Sequence, residues 1–426
     1  MDKKYLIFPM LLLTPLAFGA DLVGKVQSMS GKGKVIQYLN TKTQQVEVLK
    51  FNDDTTLENA DAFSDFTVNT KFKAKLDDNN LALNIKRVLV ELPPELVIDT
   101  DELSELIEAN QGLFIGDARP KSVFDVGHLP NAKATPATKL AKNLDWLPTD
   151  KATPMVFYCG GVTCPLSPKA MKIAKENGYS NVKVYVEGYP AWKGDMYPSY
   201  VAPDWLEQNL NIHNVILDVR ESQNVSVRGS VTLPASELAS MHETWNNEKK
   251  PVAERTVFAL RDKKAPITLV SNADDEAAIE AYEILSSWGF KNVSILEQGI
   301  EGWKQASRPM DKALSELTYV KKPKPGALDG AAFAAAVKGG EALIIDVRDD
   351  NEVAKGKLNA SIHIPLETLD QNLANIPKDK PIIFHCAAGA RAALAYTTLI
   401  KLGYSNVQYL DDSFVDVVKE NGIKLI

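Results

Sequence analysis

The chain has 426 residues, of which 45% are apolar and 24% are charged, and its net charge is −7. This balance is typical of a folded globular protein and excludes an intrinsically disordered chain. A mildly acidic chain also lacks a general basic surface for nucleic acid. The length exceeds that of one hydrophobic core, so we expect about three domains.

Residues 1–20, MDKKYLIFPMLLLTPLAFGA, combine a short basic start, an apolar stretch and a small-residue end. This pattern is typical of a secretory signal peptide. A retained N-terminal anchor is the alternative, but the stretch is short for a bilayer span and contains two prolines. No cysteine that could carry a lipid lies near the cleavage region, and no later segment is apolar enough to span a membrane. We therefore expect an exported soluble protein, periplasmic or secreted.

Residues 21–92 differ in pattern from the rest of the chain. Apolar and polar residues alternate in KVIQYL, QVEVLKF, TKFKAKL and ALNIKRVLV, with turn-like breaks between them. Period-two alternation indicates half-buried antiparallel strands. We predict a small β-barrel of the OB or SH3-like kind, ended by Pro93 and Pro94. It lacks the aromatic and basic interleaving of a nucleic-acid-binding barrel, so we expect no nucleic-acid partner.

After the β domain, two short patterns recur three times in the same order. An apolar strand ends in Asp-x-Arg, and a later helix ends in Gly before another strand; the copies are FIGDAR with GYSNVKVY, VILDVR with GFKNVSIL, and LIIDVR with GYSNVQYL. Recurrence at similar spacing indicates three copies of one module. Alternating apolar strands and helical stretches predict an α/β fold with a mostly parallel sheet. The predicted modules are 95–200, 201–310 and 329–426, with a linker at 311–328.

The Asp and Arg of these anchors recur in all three copies, whatever the rest of the copy contains. We therefore expect them to hold the fold by ion pairs rather than to act in catalysis. Trp192 and Trp303 are likewise expected in the core.

Export makes the three cysteines informative, because an oxidising compartment pairs structural cysteines. Cys159 and Cys164 are close in sequence and could pair with each other. Cys386 is then left over, and a leftover thiol in an exported chain suggests a chemical role.

Cys386 follows an apolar strand and precedes a helix, in the stretch IIFHCAAGARAA. Helix N-termini favour thiolate over thiol, because unpaired N–H groups and the positive end of the helix dipole point at the sulfur. The small residues Ala387, Ala388, Gly389 and Ala390 let the backbone wrap around the sulfur, and Arg391 offers donors for an oxyanion. The alternative is a buried core cysteine beside a surface arginine. The Gly and Arg at these offsets favour a nucleophile with an anion-binding loop.

These features together resemble the rhodanese family of sulfurtransferases. The resemblance rests on the repeated DVR strands, HLPNA at 128–132, the strand–Cys loop–helix junction, EGYPAW at 187–192 and QGIEGW at 298–303. It covers about residues 95–426 and implies three tandem modules, each with a mostly parallel sheet flanked by helices. It also implies that Cys386 accepts a sulfane sulfur as a persulfide, with the loop amides and Arg391 holding the anion.

Cysteine-dependent phosphatases have a similar loop, including the histidine before the cysteine, here His385. They place one residue more between Cys and Arg than the four found here. By family resemblance, the shorter loop suits sulfur transfer better than phosphate. His385 itself is expected to be a packed or solvated residue rather than a catalytic one.

The three copies differ at this loop. The first has Cys159 in the nucleophile position but Cys164 in place of the arginine. Cys164 could resolve a modified Cys159, the pair could cycle between dithiol and disulfide, or a permanent disulfide could lock the loop. Counting back from the helix-end glycine places Asn272 at the cysteine position of the second copy, with three carboxylates after it. We expect this copy to be catalytically silent.

The sequence therefore predicts an exported sulfurtransferase that moves sulfane sulfur from thiosulfate or a polysulfide to a thiol acceptor. The expected partners are a small sulfur-containing anion and an acceptor thiol, either Cys159 of the first module or a thiol of a partner protein; no cofactor and no metal are expected. One alternative is a thiol redox or chalcogen-oxyanion-handling protein that uses Cys159 and Cys164. The other is a non-catalytic binding scaffold.

Overall fold

The computed structural model describes residues 22–31, 33–109, 112–221, 223 and 225–426. The predicted signal peptide, residues 1–20, lies outside these ranges. Within them, no helix has both the length and the apolar character needed to cross a bilayer. The chain divides into two compact units: one joins the residues up to Val88 with Pro323–Ile426, and the other is Leu89–Lys322.

The N-terminal domain is a curled six-stranded sheet. Its strands are β1 (Leu22–Ser30), β2 (Val35–Asn40), β3 (Val46–Lys50), β4 (Thr56–Glu58), β5 (Lys71–Leu76) and β6 (Ala82–Arg87), in the order β3-β2-β1-β5-β6-β4, with a 3₁₀ turn at Phe63–Asp65. In β5, Phe72 and Ala74 are buried while the alternating lysines face solvent, as the period-two pattern predicts. β4 and β6 pair in parallel. A further parallel bridge joins Lys50, at the end of β3, to Leu81, just before β6. The sequence prediction missed β1 and β4.

The first module contains a five-stranded parallel sheet. Its strands are β7 (Val97–Ile98), β8 (Phe114–Asp117), β9 (Lys133–Ala134), β10 (Met155–Tyr158) and β11 (Val182–Tyr185), and its helices are α1 (Thr100–Glu108), α2 (Lys121–Phe124), α3 (Leu166–Glu176) and α4 (Gly188–Gly194), with 3₁₀ turns at Pro94–Leu96, Leu140–Lys142 and Leu144–Trp146. The strand order is β7-β11-β10-β8-β9. All four residues of β10 are buried, as expected for a central parallel strand covered on both faces.

The second module repeats this sheet as β12-β17-β16-β13-β15 and adds an antiparallel pair, β14 with β18. Its strands are β12 (Tyr200–Val201), β13 (Val215–Asp218), β14 (Ser226–Val227), β15 (Val231–Thr232), β16 (Pro266–Val270), β17 (Asn292–Leu296) and β18 (Met310–Asp311), and its helices are α5 (Pro203–Gln208), α6 (Ala235–Asn247), α7 (Glu276–Ser287) and α8 (Gly299–Gln305), with a 3₁₀ turn at Val252–Glu254.

The third module has the same strand order again, β19-β23-β22-β20-β21. Its strands are β19 (Ala327–Leu328), β20 (Leu343–Asp346), β21 (Ser361–His363), β22 (Ile382–His385) and β23 (Val407–Leu410), and its helices are α9 (Gly330–Gly339), α10 (Asp350–Val353), α11 (Ala390–Lys401) and α12 (Phe414–Glu420), with a 3₁₀ helix at Leu366–Asn375. The predicted α/β fold of three tandem modules after a small β domain is confirmed.

The Asp-x-Arg anchors hold the fold in each module, as predicted. The arginine of each anchor lies within 2.5–2.6 Å of its aspartate, and both side chains are buried; the pairs are Asp117–Arg119, Asp218–Arg220 and Asp346–Arg348. Each guanidinium also donates to a backbone carbonyl a few residues further on. The prediction that Trp192 and Trp303 lie in the core is also confirmed, since they are 1% and 0% exposed.

Candidate functional site

The register of the parallel sheets identifies the equivalent loop position in each module. The anchor aspartates pair with Tyr158, Val270 and His385 at the ends of β10, β16 and β22. The next residues are Cys159, Ser271 and Cys386. The prediction that Asn272 occupies the cysteine position was therefore wrong by one residue. Counting back from the glycine crosses a loop and a helix of variable length, whereas the register of paired strands fixes the position.

Cys386 lies at the carboxyl end of the central strand β22 and is 2% exposed. Its side chain belongs to the core layer that also contains Phe384 and the inner face of α11. Ala388 in the following loop and Ala390 at the start of α11 are exposed. The sulfur therefore lies in the sheet layer, and the loop that carries it reaches the protein surface.

The helix after this loop begins with amides that are not taken up by a capping side chain. Gly389 is the N-cap of α11 and, within the described chain, no side-chain cap bonds the first turn. Gly389 has φ of 85°, and a Cβ there would lie 3.1 Å from the backbone of Asp411, so only glycine fits without strain. The N–H groups at the start of a helix are thus available for an anion near Cys386.

Arg391 is the second residue of α11, and two carboxylates hold its guanidinium. Nη1 lies 2.8 Å from Asp349 Oδ1 and 2.6 Å from Glu352 Oε2, and Nη2 donates to Glu352 Oε1 at 2.9 Å. Burial opposes the charge, but the hydrogen bond to Glu352 and the fields of Cys386, Glu352 and Asp349 raise the pKa of Arg391 above its ordinary value. The buried Arg391 side chain thus connects α11 to the start of α10 through ion pairs. Its role as an anion ligand stays a prediction.

His385 does not face the loop. Side chains alternate along a strand, so His385 lies on the sheet face opposite Cys386, stacked on Phe414 at 4.3 Å. Burial lowers the pKa of His385 to about 4 against the opposing field of Asp346. Its Nε2 lies 3.6 Å from Asp346 Oδ2, too far for a hydrogen bond. The structure shows His385 as a packed residue, and its lack of a catalytic role stays a prediction.

The loop of the first module bonds its sulfur to a backbone carbonyl. Cys159 is 1% exposed, and its thiol donates to the carbonyl oxygen of Cys164 at 3.2 Å and contacts Ser167 Oγ at 3.1 Å. Burial, and next the adjacent Cys164 side chain, raise the pKa of the Cys159 thiol well above its ordinary value. Cys164 is partly exposed, and no disulfide joins these cysteines, both of which are in the described chain. Cys159 is thus held as a neutral thiol.

The second module has no sulfur at this position. The Ser271 side chain is buried, and its hydroxyl donates to the carbonyl of Asn272 at 3.0 Å. Of the three carboxylates that follow, Asp275 accepts a hydrogen bond from Tyr200 Oη at 2.6 Å. This hydrogen bond connects the start of α7 to Tyr200 of β12, and the silence of this copy stays a prediction.

The sequence analysis missed the two carboxylates that hold Arg391. The only sequence feature that pointed to these carboxylates was a difference between the first and third modules. Asp349 and Glu352 follow the third anchor, where the first module has Pro120 and Val123, and the same module has Cys164 in place of Arg391. The arginine and its carboxylates are thus present together in one copy and absent together in another.

Comparison with known proteins agrees with this architecture. The sequence profile of the rhodanese-like domain matches residues 99–195, 202–306 and 330–420, more than half of the chain. A sulfurtransferase of Allochromatium vinosum is 30% identical over 67 residues, 16% of this chain and 63% of that protein. The thiosulfate sulfurtransferase GlpE of Stutzerimonas stutzeri is 32% identical over 81 residues, 19% of this chain and 74% of that protein.

Among solved structures, a thiosulfate sulfurtransferase from Pseudomonas aeruginosa matches 78% of this chain and 66% of its own, at 16% identity and a TM-score of 0.26. A likeness at that score supports no conclusion about function. The chain thus spans just under two thirds of the first relative and of this structure. The three profile matches and the relatives in sequence carry the assignment, and the chain belongs to the rhodanese-like family.

Proposed function

We propose that this chain is a sulfurtransferase that uses Cys386 as its nucleophile. The observation that carries the proposal is the position of Cys386 at the end of β22, directly before a helix whose first amides have no capping side chain. The same position holds a thiol bonded to a carbonyl in the first module and a serine in the second. The third module thus combines a sulfur with a helix start whose amides can stabilise an anion.

The proposed reaction has two steps. The Cys386 thiolate attacks the outer sulfur of thiosulfate or of a polysulfide; the donor S–S bond breaks, and sulfite or a shortened polysulfide leaves with the electron pair. An acceptor thiolate then attacks the terminal sulfur of the Cys386 persulfide, which regenerates the Cys386 thiolate. In both steps the loop amides from Ala387 to Arg391 stabilise negative charge on sulfur.

Cyanide-accepted thiocyanate formation from thiosulfate tests this proposal in the full-length protein. Cys386→Ser should lower the rate on the order of a thousandfold or more, because the nucleophile is removed. Incubation with thiosulfate should also add the mass of one sulfur atom to the Cys386 peptide of the wild type, and reductant should remove it. Wild-type thiocyanate formation by Cys386→Ser would refute the assignment.

A second candidate function belongs to the first module, because its two cysteine side chains are adjacent. We infer that Cys164 reacts first and Cys159 resolves, since Cys164 is the more exposed and Cys159 is held as a neutral thiol. Cys164 thiolate would attack a small disulfide and release one thiolate. Cys159 would then lose its proton and attack the Cys164 sulfur, releasing the second thiolate and leaving a Cys159–Cys164 disulfide.

An aromatic disulfide reagent tests this order of events in a Cys386→Ser background. The parent protein should release two thiolates for each first module and retain no adduct. Cys159→Ser should retain one adduct on Cys164, whereas Cys164→Ser should react slowly or not at all. An adduct retained on Cys159 in the Cys164→Ser protein would reverse the assigned roles.

We also propose that the chain acts outside the cytoplasm, in the periplasm or the extracellular space. The support is the sequence of residues 1–20, with its basic start and apolar stretch. Expression of the full gene in a Gram-negative host, followed by N-terminal sequencing of the periplasmic protein, tests it. Recovery of an uncleaved chain in the cytoplasm would contradict it.

A further inference from the structure

The β domain shares one compact unit with the third module, although two modules separate them in sequence. Lys50 Nζ lies 3.0 Å from Asp370 Oδ1 and donates to the carbonyl of Glu367 at 2.7 Å. Val35 of β2 belongs to the same buried cluster as Cys386. The β domain therefore completes the core layer in which the candidate nucleophile lies.

Gly33, between β1 and β2, lies against Arg391, which follows the Cys386 loop. A Cβ built on Gly33 would lie 2.8 Å from Leu366 Cδ2 and 3.4 Å from Arg391 Cγ. The Gly33 N–H donates to Ser30 Oγ at 2.9 Å, which ties Gly33 to the end of β1. The turn thus packs against the aliphatic part of Arg391, whose guanidinium is held by Asp349 and Glu352.

We propose that the turn between β1 and β2 is a positioning element for the Cys386 site. The inference rests on the proposed function of Cys386. Arg391 lies in the first turn of α11, so a fixed Arg391 fixes the amides that line the loop. Displacement of reacting groups by about 1 Å can cost orders of magnitude in rate, which gives a well-packed support a measurable effect. Gly33 acts through Arg391 and touches neither the sulfur nor the substrate.

Two glycines of the same turn provide a matched pair of variants. Gly31 and Gly33 both lie outside the left-handed backbone region, and a Cβ on Gly31 meets nothing within 4 Å. Gly33→Leu should displace Arg391 and lower the rate of thiocyanate formation by roughly tenfold or more, chiefly in kcat. Gly33→Ala should give a smaller loss, because the end of the Leu366 side chain can move. Gly31→Leu should leave the rate at the wild-type level.

The second readout is the alkylation of Cys386 as a function of pH, followed by peptide mass spectrometry. Gly33→Leu should change this profile and Gly31→Leu should leave it at the wild-type curve; a general loss of stability would not move the profile of the folded protein. Identical rates and profiles for the two leucine variants would overturn the proposal. If Gly33→Leu fails to fold, Gly33→Ala decides, and an unchanged profile in that variant overturns the proposal.

This second readout separates the two proposals from each other. If the wild type forms no thiocyanate and no persulfide, the proposed function fails. A Gly33-specific shift of the Cys386 alkylation profile would still support the positioning role.

Discussion

The loops of the first and third modules begin at equivalent strand ends but surround their sulfurs differently. Cys386 precedes an uncapped helix start four residues later, at Ala390. Cys159 precedes a longer loop that turns back and points the Cys164 carbonyl at the thiol. A carbonyl accepts the thiol proton and favours the neutral form, whereas amides favour the thiolate. The bond to the Cys164 carbonyl therefore favours a neutral Cys159 thiol.

The difference extends to the side chains that support each loop. In the third module Arg391 connects the helix start to Asp349 and Glu352. In the first module the corresponding residues are Cys164, Pro120 and Val123, which form no ion pair of this kind. The first module therefore has neither the arginine nor the two carboxylates at these positions.

The largest expected effect is a difference in alkylation between the two buried cysteines. With iodoacetamide near pH 8, Cys386 in the wild type should react roughly a hundredfold faster than Cys159, because the Cys159 thiol is buried, bonded to a carbonyl and raised in pKa. Peptide mass spectrometry at timed quench points measures both rates. Denatured protein, in which both cysteines should react alike, is the control. Equal rates in the folded protein would remove the contrast between the loops.

The next effect concerns the ion pair behind the Cys386 loop. Arg391→Met should lower the free energy of unfolding by about 2–3 kcal/mol, somewhat less than for a fully buried pair, because Asp349 and Glu352 keep some solvent contact. In the Arg391→Met protein, the additional substitution Glu352→Gln should restore part of the lost free energy of unfolding. Denaturant unfolding of the two single variants and the double variant measures the coupling.

The exposed pair of Lys172 with Glu176 on α3 serves as the control for this cycle, and Lys172→Met should give no measurable change. Strictly additive losses at Arg391 and Glu352 would show that the two side chains do not support one another.

A smaller, pH-dependent effect is expected from His385, whose pKa burial lowers to about 4. The unfolded chain binds a proton near pH 6.5 and the folded chain only near pH 4, so stability should fall as the pH drops between these values. His385→Val, which introduces the residue of the second module, should remove about 2 kcal/mol of the loss between pH 7 and pH 5. Denaturant midpoints at the two pH values measure it.

His128 provides an internal reference for this measurement, because burial lowers its pKa to about 4 as well. The unit that contains His128 should keep its acid sensitivity in the His385→Val protein. If the stability of the unit that contains residue 385 still falls equally between pH 7 and pH 5 in the His385→Val protein, His385 is not the source of the acid sensitivity.

Features written in local patterns could be predicted from the sequence. Period-two alternation indicated β2, β3, β5 and β6, and the repeated Asp-x-Arg anchors indicated three modules with structural ion pairs. β1, with Gly24 among its apolar positions, and the three-residue β4 gave too weak a pattern.

The features that the sequence did not reveal depend on contacts between distant segments. Residues 349 and 352 meet Arg391 only when α10 and α11 pack in the same module, and Gly33 meets it across more than three hundred residues. Asn272 rather than Ser271 was assigned to the cysteine position because a count along the chain cannot detect a change of loop length. Strand pairing does detect it. The local sequence pattern predicted the role of Cys386. The residues that hold its loop in place could be identified only from the fold.

The smallest expected effect tests whether the two loops are independent. Cys159→Ser should change cyanide-accepted sulfur transfer by Cys386 within about twofold, because cyanide takes the sulfur directly and no second thiol is needed. The same variant should alter the reaction of the first module with a disulfide reagent, which confirms that the substitution has reached its loop. A tenfold or greater fall in thiocyanate formation would mean that the sulfur passes through Cys159 before release. The two loops would then handle the same sulfur one after the other, rather than carry out two separate reactions on one repeated fold.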